Sequence, residues 1–281
     1  MTQVYYKVSD YYKETYKEKV YKLPIKLPLT CPNRDGACGY GGCIYCSETG
    51  GSFENLDSSL TVTNQLSKNK EYIAKKYKAN KFIAYFQNFS NTYMNLEDFK
   101  KIIRECEKDY IVGISIATRS DCITEDKLIF LYKWHEETGI DITIELGLQT
   151  ANYKTLKILN RGESLSDFIL ACNLINKYGF RISTHVILAL PWDDISDTIE
   201  TARILNVLNV KEVKIHSLFI AKNSKLDQMY VDGQIQLKSK EEYQKNVIEF
   251  LRHINSDCAI ARLVGRAPEE ETIFCNWDRS W

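Results

Sequence analysis

Four of the nine cysteines fall in one glycine-rich loop, TCPNRDGACGYGGCIYCSETGG, from Thr30 to Gly51. Cys43 and Cys46 form a C-x-x-C pair, which can place two thiolates on one metal centre. Cys31 and Cys38 precede them, and Gly36, Gly39, Gly41 and Gly42 allow the backbone to wrap closely around a bound group. Three readings of these thiols stand open. The loop is a surface segment with no ligand, although exposed thiols at this density are a liability. It is a structural zinc site using all four cysteines, without the usual pair of C-x-x-C knuckles. Or it holds a [4Fe–4S] cluster on three cysteines, with the fourth iron open to a small molecule.

Around this loop the sequence alternates. Short β-rich runs predict strands at Phe82–Gln87, Ile111–Thr118, Ile142–Gln149, Arg181–Leu190 and Val213–Ile220. Helix-period stretches lie between them, at Leu60–Tyr77, Leu96–Lys108, Glu125–Thr138, Leu165–Tyr178 and Ile195–Leu208. Ser166 and Asp167 open one helix; Gly139 and Gly179 close two. Such alternation gives parallel strands with right-handed crossovers, hence an α/β barrel or an open α/β sheet, with chemistry at the C-terminal strand ends. Those ends carry Gln87, Arg119, Glu145, Gln149 and His216. After Ile220 the alternation fades into a predicted cap of helix (Lys240–His253), strand and tail.

The strings CPNRDG and GGCIYC, together with the strand-end motifs, resemble the radical S-adenosylmethionine (SAM) superfamily. More narrowly, they are similar to its short bacterial YhcC/YtqA-like branch, related to the Elongator catalytic subunit. The resemblance covers about residues 15 to 280 and implies a partial (β/α)6 TIM-type barrel with a C-terminal extension. It divides the chain into an N-terminal helical segment (1–20), a core barrel (21–220) and a cap (221–281). It implies a [4Fe–4S] cluster on Cys31, Cys43 and Cys46, with Cys38 a bystander or alternate ligand, and SAM chelating the open iron. Reductive cleavage of SAM to a 5′-deoxyadenosyl radical would follow, fed by a low-potential donor such as flavodoxin or ferredoxin.

The same resemblance assigns cofactor contacts. Tyr45 falls where the superfamily keeps an aromatic beside adenine; packing under the loop is the alternative. Gln87 falls near the methionyl group, but the superfamily's Gly-Gly-Glu is absent there. Arg119 lies in TRSD, similar to a TRPD motif, and pairs either with a ligand or with Asp121. Glu145 interrupts an apolar strand, and a buried carboxylate needs a partner: the SAM amino group or ribose, or an arginine of the chain. Gln149 follows on the same face. Arg161 lies in NRGE, which departs from NRGH at Glu163. Ala189 replaces a glycine expected to pass adenine. His185, among apolar neighbours, reads as a satisfied core histidine, whereas His216 and Cys275 are candidate catalytic groups, the latter in a tail that either caps the barrel mouth or packs as a strand.

Composition sets limits on function. The 37 basic and 37 acidic residues balance, which excludes a polycationic nucleic-acid coat but not a local patch. No apolar run reaches the length of a membrane span, and no signal sequence is evident, so a cytoplasmic protein with reduced thiols is expected. The Tyr/Lys-rich N-terminus and the six lysines of Lys68–Lys81 suit an RNA surface, or a solvated helix face. The expected function is modification of tRNA at the C5 side chain of the wobble uridine, for instance carboxymethylaminomethyl to aminomethyl, since the chain has no room for the acetyltransferase domain of the larger relative. The alternatives are a radical SAM enzyme on a small molecule or peptide, and a non-catalytic zinc-stabilised RNA-binding module.

Overall fold

A computed structural model of the chain describes residues 4–47 and 56–278. The last residues of the cysteine loop, 48–51, lie outside the described residues. In chain order the elements are α1 (Val8–Tyr16), β1 (Val20–Ile25), α2 (Pro32–Asp35), α3 (Val62–Tyr77), β2 (Lys81–Phe86), α4 (Leu96–Arg104), β3 (Ile111–Thr118), α5 (Glu125–Thr138) and β4 (Asp141–Gln149). They continue with α6 (Tyr153–Ile158), α7 (Leu165–Lys177), β5 (Arg181–Leu188), α8 (Ile195–Val207), β6 (Glu212–Ser217), β7 (Ile220–Ala221), α9 (Lys225–Val231), α10 (Lys240–His253), β8 (Ala259–Arg262) and β9 (Thr272–Phe274).

Seven strands form one all-parallel sheet in the order β1-β2-β3-β4-β5-β6-β8, and β7 pairs antiparallel with β9 outside it. Alternation along each strand sends one set of side chains outward. Leu23, Phe86, Ile114, Ile144, Ile182 and Val213 are fully buried in one core with Leu66, Phe99, Trp134, Phe168 and Phe250 of the surrounding helices. The opposite set points into the barrel and is polar. The sheet curls far enough for Lys22 on the first strand to reach Glu212 on the sixth at 3.7 Å, and for Lys214 to reach Tyr85 at 2.9 Å.

Three expectations change. The alternation does not stop at Ile220: α10 packs beside α8, through Thr198–Asn246 and Asn206–His253 bonds, and β8 adds a seventh strand to the sheet. Part of the 221–281 segment thus continues the helical layer and the sheet. Helix α7 starts at Leu165 as read, but its cap is Ser164 rather than Ser166, because Ser164 and Asp167 form a reciprocal capping box. The N-terminal tyrosines are not laid out for stacking on RNA. Arg181 lies 3.6 Å over the Tyr11 ring, Tyr12 sits against Lys22 and Glu212, and Tyr16 is hydrogen-bonded to Asp141 beside Gly113. Helix α1 thus closes the N-terminal end of the barrel, and Lys7 bridges to Ile260 on the last strand. The Lys68–Lys81 stretch is largely the solvated face of α3, where Lys76 already lies over Tyr72 and Tyr77.

Candidate active site

A cavity of about 910 Å³ opens at the C-terminal strand ends. Cys31, Cys43 and Cys46 line it, and Cys38 does not. Cys38 is exposed and accepts a hydrogen bond from Arg119 Nη2 at 3.5 Å. All nine cysteines are free thiols.

The loop is tied down from behind. Asn33, fully buried, donates to the Asn160 carbonyl at 2.5 Å and lies 3.7 Å from Cys43 Sγ. Gly42 N–H donates to the Asn33 carbonyl, and Asn160 Nδ2 donates to the Gly42 carbonyl, both at 2.8 Å. Gly41 and Gly42 adopt left-handed backbone, which is why glycine is needed there. Cys43 is the most buried of the three lining thiols. A hydrogen bond from Cys46, with Arg161 and Arg119 nearby, holds its thiol well below the usual range, so the anion is the favoured form.

The other strand-end residues divide into two groups. Tyr45, Gln87, Gln149 and Arg161 all line the cavity beside the cysteines. Arg161 donates to Tyr45 Oη at 2.9 Å and to the Gly147 carbonyl at 2.6 Å, and pairs with Glu163, the residue that breaks the NRGH pattern. Positive φ recurs where the strand ends pass the cavity, at Asn88, Phe89 and Gln149, so the backbone is strained there. Arg119 lines the cavity too, but its guanidinium is occupied by Asp121 and by the Arg161 carbonyl.

Glu145 has its partners within the chain, and none is an arginine. Its side chain is fully buried and bound by Lys22, by Lys214 at 3.0 Å, by Ser115 at 2.6 Å and by His185 at 2.8 Å. Burial alone would raise its pKa, but the two lysines outweigh that and hold the carboxyl well below the usual range. The cofactor's amino group is thus not required to satisfy it. His185 is no core histidine: it lines the cavity and stacks on His216 at 5.3 Å between centroids. His216 faces the cavity with Arg262 against its ring, and burial plus that cation hold it well below the usual range, so it enters as neutral imidazole. Cys275 does not reach the cavity: it follows β9 outside the sheet, and its segment contributes Arg266, Ala267 and Pro268 instead.

Sequence reasoning missed Lys22, Lys214, Tyr85 and Asn33, while Arg262 and Arg266, read as tail residues capping the barrel mouth or packing as a strand, do line the cavity. The available signal was a lysine at an inward position of a strand, opposite the buried Glu145.

A curled parallel half-barrel with a thiol-lined mouth defines an α/β-barrel enzyme built around a bound centre. The chain belongs to the radical SAM superfamily: that family's model matches residues 33–205, and the model of the Radical_SAM C-terminal domain matches residues 210–281. An uncharacterized protein of Methanocaldococcus jannaschii is 36% identical over 272 residues, 95% of this chain and 82% of its own. The uncharacterized protein YtqA of Bacillus subtilis is 33% identical over 275 residues, 97% of this chain and 84% of its own. Among solved structures, the archaeal Elp3 of Methanocaldococcus infernus superposes with a TM-score of 0.67 at 17% identity, covering 90% of this chain and 58% of that one. The family uses a [4Fe–4S] cluster and S-adenosylmethionine.

The residues present fit both groups. Three thiols rather than four face the cavity, one favoured as thiolate, and the buried Nε of Arg161 has no hydrogen-bond partner among the described residues. A buried donor of that kind is costly unless a bound group accepts from it. Among the described residues no helix is long and apolar enough to cross a membrane.

Proposed function

We propose that this radical SAM enzyme modifies tRNA, at the C5 side chain of the wobble uridine, with conversion of carboxymethylaminomethyl to aminomethyl as the specific reaction. Hydrogen abstraction at the carboxymethyl carbon and one further electron removed would give an imine that water hydrolyses to the aminomethyl group and glyoxylate, with SAM as the net two-electron acceptor. The observation that carries the chemistry is that Cys31, Cys43 and Cys46, and not Cys38, face one cavity. In this reading they hold the [4Fe–4S] cluster, while Tyr45, Gln87, Gln149 and Arg161 bind SAM beside it. The bound pair supplies reductive cleavage of the sulfonium and hydrogen abstraction from the substrate, with electrons from a low-potential flavodoxin or ferredoxin. The chain's own work is placement. Arg161 orients Tyr45 through its hydroxyl, Arg161 and Arg119 stabilise the Cys43 thiolate, and the polar strand ends fix the ligand's position.

Support for the tRNA substrate comes from likeness. The tRNA uridine(34) acetyltransferase of Methanocaldococcus infernus is 26% identical over 165 residues, 57% of this chain and 29% of its own. A base splayed from the anticodon loop is accessible to a cavity of this kind. Nine free thiols suit a reducing cytoplasm, where we place the reaction. The test is nucleoside mass spectrometry of bulk tRNA from a strain lacking the gene. Accumulation of carboxymethylaminomethyluridine at the expense of aminomethyluridine and its products is expected. An unchanged profile moves the assignment to a small-molecule or peptide substrate.

A further inference from the structure

The turn after β2 carries an aromatic ring that neither core claims. Phe89 lines the cavity and is half-buried, yet it joins neither apolar cluster of the described residues. Two other rings that line the cavity are engaged within the fold. Tyr45 packs against the apolar cluster that contains Ile44 and Leu159. Tyr85 has Lys22 and Lys214 over its ring, at 4.6 and 4.7 Å from the centroid.

Phe89 is held in place against its own backbone preference. Its φ is 52°, and that of Asn88 is 74°. Asparagine tolerates left-handed backbone, but a bulky phenylalanine there is an outlier, because its Cβ crowds the following carbonyl. The turn is fixed from behind. Asn91 Nδ2 donates to the Asn88 carbonyl at 3.0 Å and to the Ala117 carbonyl at 2.8 Å, and Asn91 N–H donates to the same Ala117 carbonyl at 3.1 Å. Thr92 Oγ1 lies 2.6 Å from Thr118 Oγ1 and donates to the Cys122 carbonyl at 2.8 Å. Strain over-determined in this way clusters at functional sites, where it presents a group to a ligand. Arg34, from α2 of the cysteine loop, sets its guanidinium over the Phe89 ring at 5.3 Å from the centroid and donates to the Ser47 carbonyl at 3.1 Å. Aromatic rings and guanidinium planes are the surfaces on which proteins stack an unpaired base.

We propose that Phe89, backed by Arg34, is the platform on which a planar base of the substrate stacks when it enters the cavity. The platform deepens the wobble-uridine reading and rests on it for the identity of the base, though not for its flatness. Stacking accepts any base by its π face, so Phe89 holds the substrate without selecting the C5 side chain.

The test measures binding to the anaerobically reconstituted full chain with SAM present. The probes are an anticodon stem-loop RNA with uridine at the wobble position, the same RNA abasic at that position, and tryptophan amide as a flat ring without ribose or phosphate. The intact stem-loop is expected to bind about tenfold tighter than the abasic one, the scale of one base–aromatic stack. This preference should vanish in Phe89→Leu, which keeps an apolar side chain but has no π face, and should return in Phe89→Tyr. Iron content and SAM affinity should be unchanged in both variants. If RNA binds but the preference is missing or survives in Phe89→Leu, the platform is overturned and the tRNA reading stands. If no RNA binds but tryptophan amide does, and weakens in Phe89→Leu, the platform stands and the tRNA reading falls. Loss of SAM affinity in Phe89→Leu would make the ring a wall of the cofactor site and overturn the platform, as would binding of every probe independent of Phe89.

Discussion

Cys43 concentrates the site's chemistry in one atom: a buried sulfur, favoured as thiolate, with Cys46 and Arg161 against it. Cys43→Ala is expected to abolish both bound iron and the cleavage of SAM, measured after anaerobic reconstitution. Cys38→Ser should keep most of both, because its side chain faces Arg119 rather than the cavity. Iron lost in both variants would mean four-cysteine ligation. His185 yields a pH effect. Its imidazole, at about 4 in the fold, titrates near 6.5 when unfolded. Between those values the unfolded chain binds more protons, so stability is intact above about 6.5 and is lost as pH falls towards 4. Melting temperatures should decline across that window, less steeply in His185→Gln. Parallel profiles would take His185 out of the acid limb. Spacing made the cysteines legible. It could not reveal the Lys22–Glu145–Lys214 cluster, because a lysine inside a strand reads like one at a solvated edge until the sheet curls.

At the scale of elements, the cysteine loop keeps its shape through a partner loop. Asn33 bonds Asn160, Asn160 bonds Gly42, and Ile44 N–H donates to the Leu159 carbonyl at 3.1 Å. Asn33→Ala is therefore expected to lower iron per chain without touching a ligand, and to cost about 1–3 kcal/mol in stability for the carbonyl left unpaired. Full iron occupancy in that variant would show that the cysteines hold their geometry unaided. The central strands and their helices were legible because period and caps agree: Glu125–Thr138 and Lys240–His253 fall as read. β1 was not, because Pro24 and Lys22 break its pattern. Proline is tolerated there since β1 is the sheet's edge. The strand after Lys240–His253 was read, but β8, with four residues, is too short to reveal that it joins the main sheet.

The whole molecule is an incomplete ring, and α1 spans its gap. Tyr12 and Tyr16 fill the floor of the barrel, and Ile260 N–H donates to the Tyr6 carbonyl at 2.8 Å. Tyr12→Ala should cost about 2 kcal/mol for the apolar surface re-exposed, seen as a lower denaturant midpoint at unchanged slope. A midpoint that does not move would make α1 an appendage. The α/β class was open to reading because alternation dictates it, while the partial barrel, rather than an open sheet, came from the family resemblance. The substrate was not open to reading, since the N-terminal tyrosines that suggested RNA are the same residues that plug a barrel.

The bridge from Lys7 to Ile260 joins segments almost a full chain length apart. Loop closure over that span is among the most entropically expensive contacts a chain of this length can make. It also cannot form on the ribosome until β8 has emerged. Helix α1 must therefore wait for the synthesis of β8 before it docks there, long after its own residues have emerged.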